Sequence, residues 1–303
     1  MSVTIEKLEW KGWPNCWRLS NGTVELIVTQ DIGPRVMRYA FVGGQNLFKE
    51  FTDELGKSGE STWTLRGGHR LWKGPEDRYA TYALDNSPIE IEAAGDTLIA
   101  TQLVEPETGL QKRMEIQMAA EGTGVTVKHV IFNRGLLTVE IAAWTPTVMA
   151  PTGLGVTGFP PRGTHPEDLE PTNPLIMWAF TDLTDPRWKF TKKYLTLRQD
   201  PANRNPQKLG HWNRHTFGAY FLNGDIFLKQ YFPTPGLQHP EFGASFEIFT
   251  NQDFLELETM GPLTKLAKDE SLTHVEHWSL HKGELAEVSD AALDAALLPL
   301  LKQ

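Results

Sequence analysis

Cysteine is almost absent from this chain, since Cys16 is the single one among 303 residues. One cysteine excludes an internal disulfide and is typical of a reducing compartment. We therefore expect a cytoplasmic protein in which Cys16 is a small apolar filler and not a reactive thiol.

Long apolar runs and clustered basic residues are also missing. No stretch approaches the ~20 apolar residues of a membrane span, and the first residues lack the basic and apolar regions of a signal peptide. The formal net charge is −9, from 29 basic and 38 acidic residues. Neither a nucleic acid nor a membrane is therefore an expected partner, and the substrate is expected to be neutral or small.

Several common catalytic signatures do not occur. The chain has no Ser-His-Asp elbow, phosphate loop, dinucleotide fingerprint or Cys-His zinc spacing. His211 and His215 are four residues apart, but they stand at the beginning of a predicted strand, where that spacing separates the two rings by ~13 Å. We expect no metal site and no cofactor.

What the chain does contain is a succession of short segments with the alternation of β-strands. Strands are predicted within residues 23–30, 96–105, 110–120, 124–133, 193–200, 242–260 and 272–281. Residues 217–232 form two apolar runs about an Asn-Gly-Asp turn, which predicts a hairpin. Only residues 289–303 predict a helix, capped by Ser289 or Asp290 and disturbed by Pro299.

These patterns predict an all-β protein with a short C-terminal helix. Strands of the same character occupy both sides of the proline- and glycine-rich residues 150–174, so we expect that segment to be a long loop over the sheet and not a linker. We expect residues 1–303 to form a single domain, as a monomer or a weak homodimer.

Two carboxylates stand in a segment that otherwise predicts a buried strand, "FLELETMGPL", residues 254–263. Successive strand side chains alternate between faces, so Glu256 and Glu258 share one face and Leu255 and Leu257 the other. Because two unpaired carboxylates in a dry core would cost several kcal/mol each, we expect their face to line a polar cleft. The alternative is an exposed strand face or salt bridges to Arg or Lys.

A second candidate is "RGGHRLWKGPEDRY", residues 66–79. Its Gly-Gly pair permits a tight turn that holds His69 and Arg70 at the mouth of a cleft. An imidazole beside a guanidinium suits proton transfer and hydroxyl binding. The alternative is that Arg70 and its charged neighbours form surface ion pairs above a packed Trp72.

Ten tryptophans are present, and several stand beside polar turns, among them Trp72 and Trp144. Flat aromatic faces flanked by hydrogen-bonding groups suit a ligand with both apolar and hydroxyl surfaces, as a sugar ring has. Most of the ten are expected in the core.

The chain resembles the galactose-mutarotase-like superfamily of aldose 1-epimerases, and within it a poorly characterised bacterial branch. The resemblance rests on residues 26–48, 67–76 and 246–280, and most specifically on the order Leu-Glu-Thr followed by Pro262. It implies a large two-sheet antiparallel supersandwich that binds a small-molecule carbohydrate. It also implies that Glu258 is the general base.

The epimerase reaction needs a base for the anomeric hydroxyl proton and an acid for the ring oxygen. In the family the acid is a histidine in a His-x-Tyr-Phe motif, but the corresponding residues 133–151 contain no histidine, and Trp144 stands in its place. His69 is the provisional acid. The resemblance also implies sugar binding by His69 and Arg70, and we expect Arg35, Glu256, Trp72 and Trp144 to contribute to the cleft.

Three functions remain open from the sequence. The first is a cofactor-free sugar epimerase with Glu258 as base and His69 as acid. The second is a sugar-binding protein without turnover, and the third is a lyase or hydrolase acting on a saccharide.

Overall fold

Residues 2–301 of the protein are described by the computed structural model, and nearly all of its regular structure is β-strand. The first eleven strands are β1 (Thr4–Trp10), β2 (Trp13–Ser20), β3 (Val24–Thr29), β4 (Arg35–Phe41), β5 (Gly68–Arg70), β6 (Trp72–Gly74), β7 (Glu90–Ala94), β8 (Thr97–Thr101), β9 (Leu110–Met118), β10 (Val125–Asn133) and β11 (Val139–Met149). The remaining elements are β12 (Leu154–Gly158), β13 (Leu175–Met177), β14 (Trp188–Phe190), β15 (Tyr194–Arg198), β16 (Gln207–His211), β17 (Thr216–Leu222), β18 (Asp225–Tyr231), β19 (Phe246–Thr250), β20 (Leu255–Met260), β21 (Thr264–Leu266), β22 (Ser271–Lys282) and α1 (Asp290–Leu297).

The strands form two large antiparallel sheets. The first sheet has the order β1-β2-β3-β4-β5-β11-β20-β19-β16-β13, with β6 and β21 also paired to β11. The second sheet has the order β14-β15-β12-β17-β18-β22-β10-β9-β8-β7. The predicted two-sheet supersandwich with a short C-terminal helix is therefore confirmed.

The core lies between the facing sides of the two sheets. Leu257 of the first sheet and Ile116, Phe227 and Trp278 of the second belong to one cluster of buried apolar side chains. Full burial of a side chain of this size contributes about 1.5–3 kcal/mol, so the inward face of each strand is fixed by its apolar positions. In β9 the alternation leaves Gln117 on the exposed side.

The predicted hairpin is present as β17 and β18. Its turn residues Asn223 and Gly224 have φ angles of 49° and 81°. Two successive residues with positive φ match the right-handed twist of the paired strands, which is why Asn-Gly is favoured there.

The prediction of an uninterrupted loop over residues 150–174 is wrong in part. Leu154–Gly158 forms β12, which pairs with β15 and β17 in the second sheet. A Cβ atom at Gly155 would lie 2.7 Å from the Ile248 side chain. Here glycine serves close packing of the two sheets and does not mark a turn.

The helix α1 covers an apolar patch of the second sheet. The Ser289 hydroxyl caps it by accepting a hydrogen bond from the Ala292 N–H at 3.3 Å. Leu293 and Leu297 are its buried residues, and Pro299 lies beyond its end. Lys302 and Gln303, also predicted to be helical, lie outside the described residues.

Within residues 2–301, no helix has the length and apolar character needed to cross a membrane.

An ion pair lies in the interior between the sheets. Lys229 Nζ is 2.7 Å from Glu276 Oε1, and both side chains are completely buried. The hydroxyls of Thr145 and Thr259 also donate to Oε1, and the Trp278 indole N–H donates to Oε2. Burial by itself raises the pKa of Glu276, but Lys229 and neighbouring imidazoles hold this pKa well below its usual range.

We predict that Lys229→Met lowers the free energy of unfolding by about 3–5 kcal/mol, because it leaves the Glu276 carboxylate buried without its cation. Denaturant unfolding measures the change. The matched control is Arg134→Met, which removes an exposed ion pair with Asp269 and should cost less than about 1 kcal/mol. Equal effects of the two substitutions would contradict the prediction.

Candidate functional site

A cavity of about 320 Å³ lies against the first sheet, and we call it the pocket. Its lining is mostly aromatic, with a few charged side chains. The aromatic members are Trp63, Trp72, Tyr82, Trp144, Trp178, Phe180, Phe249 and Phe254, and the charged members are Arg70, Glu76, Lys208 and Glu256. Pockets for small ligands commonly combine such walls with a few convergent polar groups.

Strand alternation in β20 produces the acidic side of the pocket. Leu255 and Leu257 are completely buried in the core cluster, so Glu256 and Glu258 point away from the core. Glu256 is 9% exposed and lines the pocket. Glu258 is completely buried and does not belong to the lining.

Both carboxylates have cationic partners. Arg70 Nη2 donates to Glu256 Oε1 at 2.9 Å. Lys208 Nζ donates to Glu258 Oε2 at 3.1 Å, and the Trp144 indole N–H donates to the same oxygen at 2.7 Å. The sequence left open whether these carboxylates line a polar cleft or form salt bridges to Arg or Lys. Both descriptions apply, because the two carboxylates are ion-paired and Glu256 also borders a cavity.

A third carboxylate, Glu247 on β19, was missed by sequence reasoning. It pairs directly with Glu258 across β19 and β20, and Lys208 Nζ lies 2.7 Å from its Oε2. Alternation in "FEIFT" places the Glu247 side chain on the face opposite to Phe246 and Ile248, so its orientation was predictable. Its position beside Glu258 was not, because that position depends on the register of β19 on β20.

Burial makes two of these carboxyl groups weak acids. It raises the pKa of Glu256 to about 7, although Arg70 acts against the rise. It raises the pKa of Glu247 to about 8 against the effect of Lys208. Burial alone would lower the pKa of Lys208, but the carboxylates of Glu247 and Glu258 outweigh it and raise that pKa. Lys208 therefore stays charged, while Glu256 changes protonation near neutral pH.

Several polar atoms at the pocket lining and behind it have no hydrogen-bond partner among the described residues. The Arg70 guanidinium stacks 4.1 Å from the centre of the Trp72 ring, and its Nε and Nη1 have no hydrogen-bond partner among residues 2–301. Oε1 of Glu258 and Oε1 of Glu247 also lack a partner within that range. Of these three residues only Arg70 belongs to the pocket lining, so its two nitrogens are the unpaired donors nearest to a ligand in the pocket.

His69 precedes Arg70 in β5, and alternation sends the two side chains to opposite faces. The His69 ring lies between the sheets, where its Nε2 is 2.7 Å from His129 Nε2 and its Nδ1 is 2.8 Å from Thr147 Oγ1. Burial lowers the pKa of His69 well below its usual value. The structure thus does not bring His69 to the pocket, and the provisional role as acid has no geometric support.

Arg35 pairs with Arg70 across β4 and β5, so it starts on the same sheet face. Its guanidinium donates to the carbonyl oxygens of Leu65 and Gly67 and forms an ion pair with Asp85. It is completely buried and absent from the pocket lining. These contacts hold the segment that contributes Leu65 to the pocket lining. Arg35 therefore supports the lining from behind, and the prediction that it contributes directly to the cleft is wrong.

Trp72 and Trp144 both line the pocket, as the sequence suggested. Their rings are 5.1 Å apart in an edge-to-face arrangement. Trp144, which stands where the resemblance implies a histidine, holds the Glu258 carboxylate through its indole N–H. An indole N–H donates a hydrogen bond but does not exchange its proton near neutral pH.

The side chains of His69, His129 and Glu276 have possible metal-ligand atoms within 4.8 Å of one another. The two imidazoles are hydrogen-bonded to each other at 2.7 Å, and Lys229 already supplies the cation beside Glu276. The imidazoles are thus satisfied by hydrogen bonds and the Glu276 carboxylate by Lys229, so we assign no metal to this group.

Comparison with known proteins identifies the fold. No protein-family model and no curated protein matches the chain. Among solved structures, a candidate aldose 1-epimerase from Klebsiella pneumoniae is 11% identical, with a TM-score of 0.60 over 98% of this chain and 86% of that one. A galactose mutarotase-like protein from Lactobacillus casei is 8% identical, with a TM-score of 0.55 over 92% of this chain and 100% of that one.

A third similar structure is a larger protein with a TPR domain from Parabacteroides distasonis. It is 13% identical, with a TM-score of 0.52 over 90% of this chain, and the chain spans 48% of its length. At these identities the likeness establishes the fold alone. The resemblance drawn from the sequence is therefore confirmed at the level of the galactose mutarotase-like fold.

The raised pKa of Glu256 predicts a pH-dependent stability. A carboxyl group whose pKa is about 7 in the folded chain and 4.5 otherwise contributes stability that is complete below pH 4.5 and is lost as the pH rises through 7. Compared with Glu256→Gln, the wild type should therefore lose up to about 1.4 kcal/mol per pH unit in this interval. Thermal and denaturant unfolding at several pH values measure the difference.

The exposed Glu121→Gln is the matched control and should run parallel to the wild type. A constant difference between the wild type and Glu256→Gln from pH 4.5 to 7 would contradict the prediction.

Proposed function

We propose that the protein binds a neutral carbohydrate in the pocket and interconverts its anomers by acid–base catalysis without a cofactor. The observation that carries the proposal is the position of Glu256, a carboxyl group with a pKa of about 7 at the floor of an aromatic-walled cavity. General acid–base catalysis is most efficient when the pKa lies near the working pH.

The binding part of the proposal rests on the pocket lining. Aromatic rings such as Trp72 and Trp144 offer flat apolar faces to the C–H groups of a sugar. The unpaired nitrogens of Arg70 offer donors to its oxygens. Each cation at the floor already has a carboxylate partner, so the site has no uncompensated positive charge that would favour an anionic ligand.

The catalytic part assigns different roles to the two glutamates of β20. Glu256 meets the ligand and takes the proton of the anomeric hydroxyl as the bond from the anomeric carbon to the ring oxygen breaks, and it passes this proton through a water molecule to the ring oxygen. When the ring closes on the other face, the proton returns from the ring oxygen by the same route to the new anomeric hydroxyl. Glu258, nominated as the base by the family resemblance, lies behind the lining and is held by Lys208 and Trp144. There its carboxylate helps to raise the pKa of Glu256.

Binding without turnover is the second candidate function. It is favoured by one observation, which is that no histidine occurs among the described residues that line the pocket. An epimerase needs a second proton-exchanging group for the ring oxygen.

We predict that Glu256→Gln reduces the acceleration of mutarotation by about 100-fold or more, because the amide cannot accept the anomeric proton. Polarimetry of freshly dissolved glucose, galactose and xylose measures the rate, and calorimetric titration of the same sugars measures binding. Glu121→Gln is the control for activity, and unfolding curves check that each variant is folded.

The outcomes separate the candidates. Acceleration that depends on Glu256 supports catalysis. Sugar binding without any acceleration supports the binding protein. The absence of both for every sugar tested would contradict the assignment of the pocket to carbohydrate.

A further inference from the structure

A second cavity, of about 640 Å³, lies beside the 237–243 segment. The proposed function does not use it. Its lining includes Pro174, Trp212, Leu237, His239 and Phe242. Trp212 and Phe242 give it aromatic surface beside polar groups, the combination that is also found in the pocket.

The two cavities are separated by a thin wall. Pro75 lines the second cavity and the next residue, Glu76, lines the pocket. The Glu76 backbone N–H donates to Glu241 Oε1 at 3.2 Å, and Glu241 also lines the second cavity. One two-residue segment thus borders both spaces.

The first sheet connects the cavities as well. Lys208 of β16 lines the pocket, and Trp212, four residues further along the chain, lines the second cavity. In an extended chain this spacing separates the two residues by about 13 Å. Alternation puts Gly210 on the same face between them. A Cβ atom there would lie 3.3 Å from the ring of Trp178, a pocket residue. The absence of a side chain at Gly210 lets the aromatic lining continue along the strand.

Phe242 is held in an unusual position at this cavity. Its side chain is 92% exposed, so it gains almost nothing from burial in the protein alone. Glu241 and Phe242 have φ angles of 48° and 58°, a left-handed conformation that is unfavourable for residues other than glycine. Strained backbone of this kind is concentrated at ligand sites, and an exposed ring beside a cavity provides a stacking surface.

The cavity also has a polar anchor. His239 is 4% exposed, and its Nδ1 donates to the Met260 carbonyl oxygen at 3.1 Å. That bond places the proton on Nδ1 and leaves Nε2 as an acceptor, which has no hydrogen-bond partner among residues 2–301. Gln238 and Glu241 add an amide and a carboxylate to the lining. Such a set suits hydroxyl groups.

We propose that the second cavity is a carbohydrate subsite, so that the ligand of this protein is a neutral oligosaccharide extending from the pocket past Pro75 and Glu76 to Phe242. The proposal rests on the proposed function of the pocket. It differs from that function in the length of the ligand, since a single sugar ring would occupy the pocket alone.

Calorimetric titration tests it with glucose, galactose, mannose and xylose against their α- and β-linked di- and trisaccharides. We expect at least one longer saccharide to bind about tenfold or more tightly than its monosaccharide. Phe242→Ala should remove most of that advantage and leave the monosaccharide Kd unchanged. Because the ring of Phe242 is exposed, this variant is expected to fold. Phe190→Ala, which truncates an exposed phenylalanine of β14 in the second sheet, is the matched control.

Equal affinity for monosaccharides and longer saccharides would overturn the subsite but leave the pocket assignment intact. An advantage for longer saccharides that survives Phe242→Ala and Trp212→Ala would also overturn it, because the extra units would then bind elsewhere. If no saccharide binds, the proposed function fails and the subsite fails with it.

Discussion

The alternation of β20 is the constraint on which the candidate site depends. Burial of Leu255 and Leu257 between the sheets forces the carboxylates of Glu256 and Glu258 onto the opposite face. Most of that face is shielded from water, so each carboxylate requires a cation. Arg70 and Lys208 supply these charges from β5 and β16, on either side of β20 in the first sheet.

These ion pairs also determine which groups at the pocket can exchange protons. Lys208 lies between Glu247 and Glu258 and remains charged. Glu256 is hydrogen-bonded by Arg70 and has a pKa of about 7, so it is the carboxyl group of the pocket lining that changes protonation near neutral pH. A second charged group, Lys229 with Glu276, is enclosed by the core and does not belong to the pocket lining. The same fold therefore holds one ionic network for stability and another beside a cavity.

Much of the fold was predictable because the apolar pattern fixes which face of each strand is buried. The β17–β18 hairpin and the capped helix after Ser289 follow from local chemistry, and the structure has both. The segment 150–174 was harder to predict, since glycine there is typical of a loop, whereas Gly155 of β12 serves close packing against Ile248. The site was only partly predictable. Glu256, Arg70, Trp72 and Trp144 line the pocket, whereas His69 and Arg35 do not.

The sequence by itself determined the alternation, and with it the shared face of Glu256 and Glu258, because the faces of a strand depend only on local spacing. Tertiary structure decided which of the two meets the cavity and which side chains surround them. Glu247 lies opposite Glu258 only through the register of β19 on β20. His69 turns inward because β5 pairs with β4 and β11 in one register. Pairings between segments far apart in the chain depend on the packing of the whole core, which no local pattern encodes.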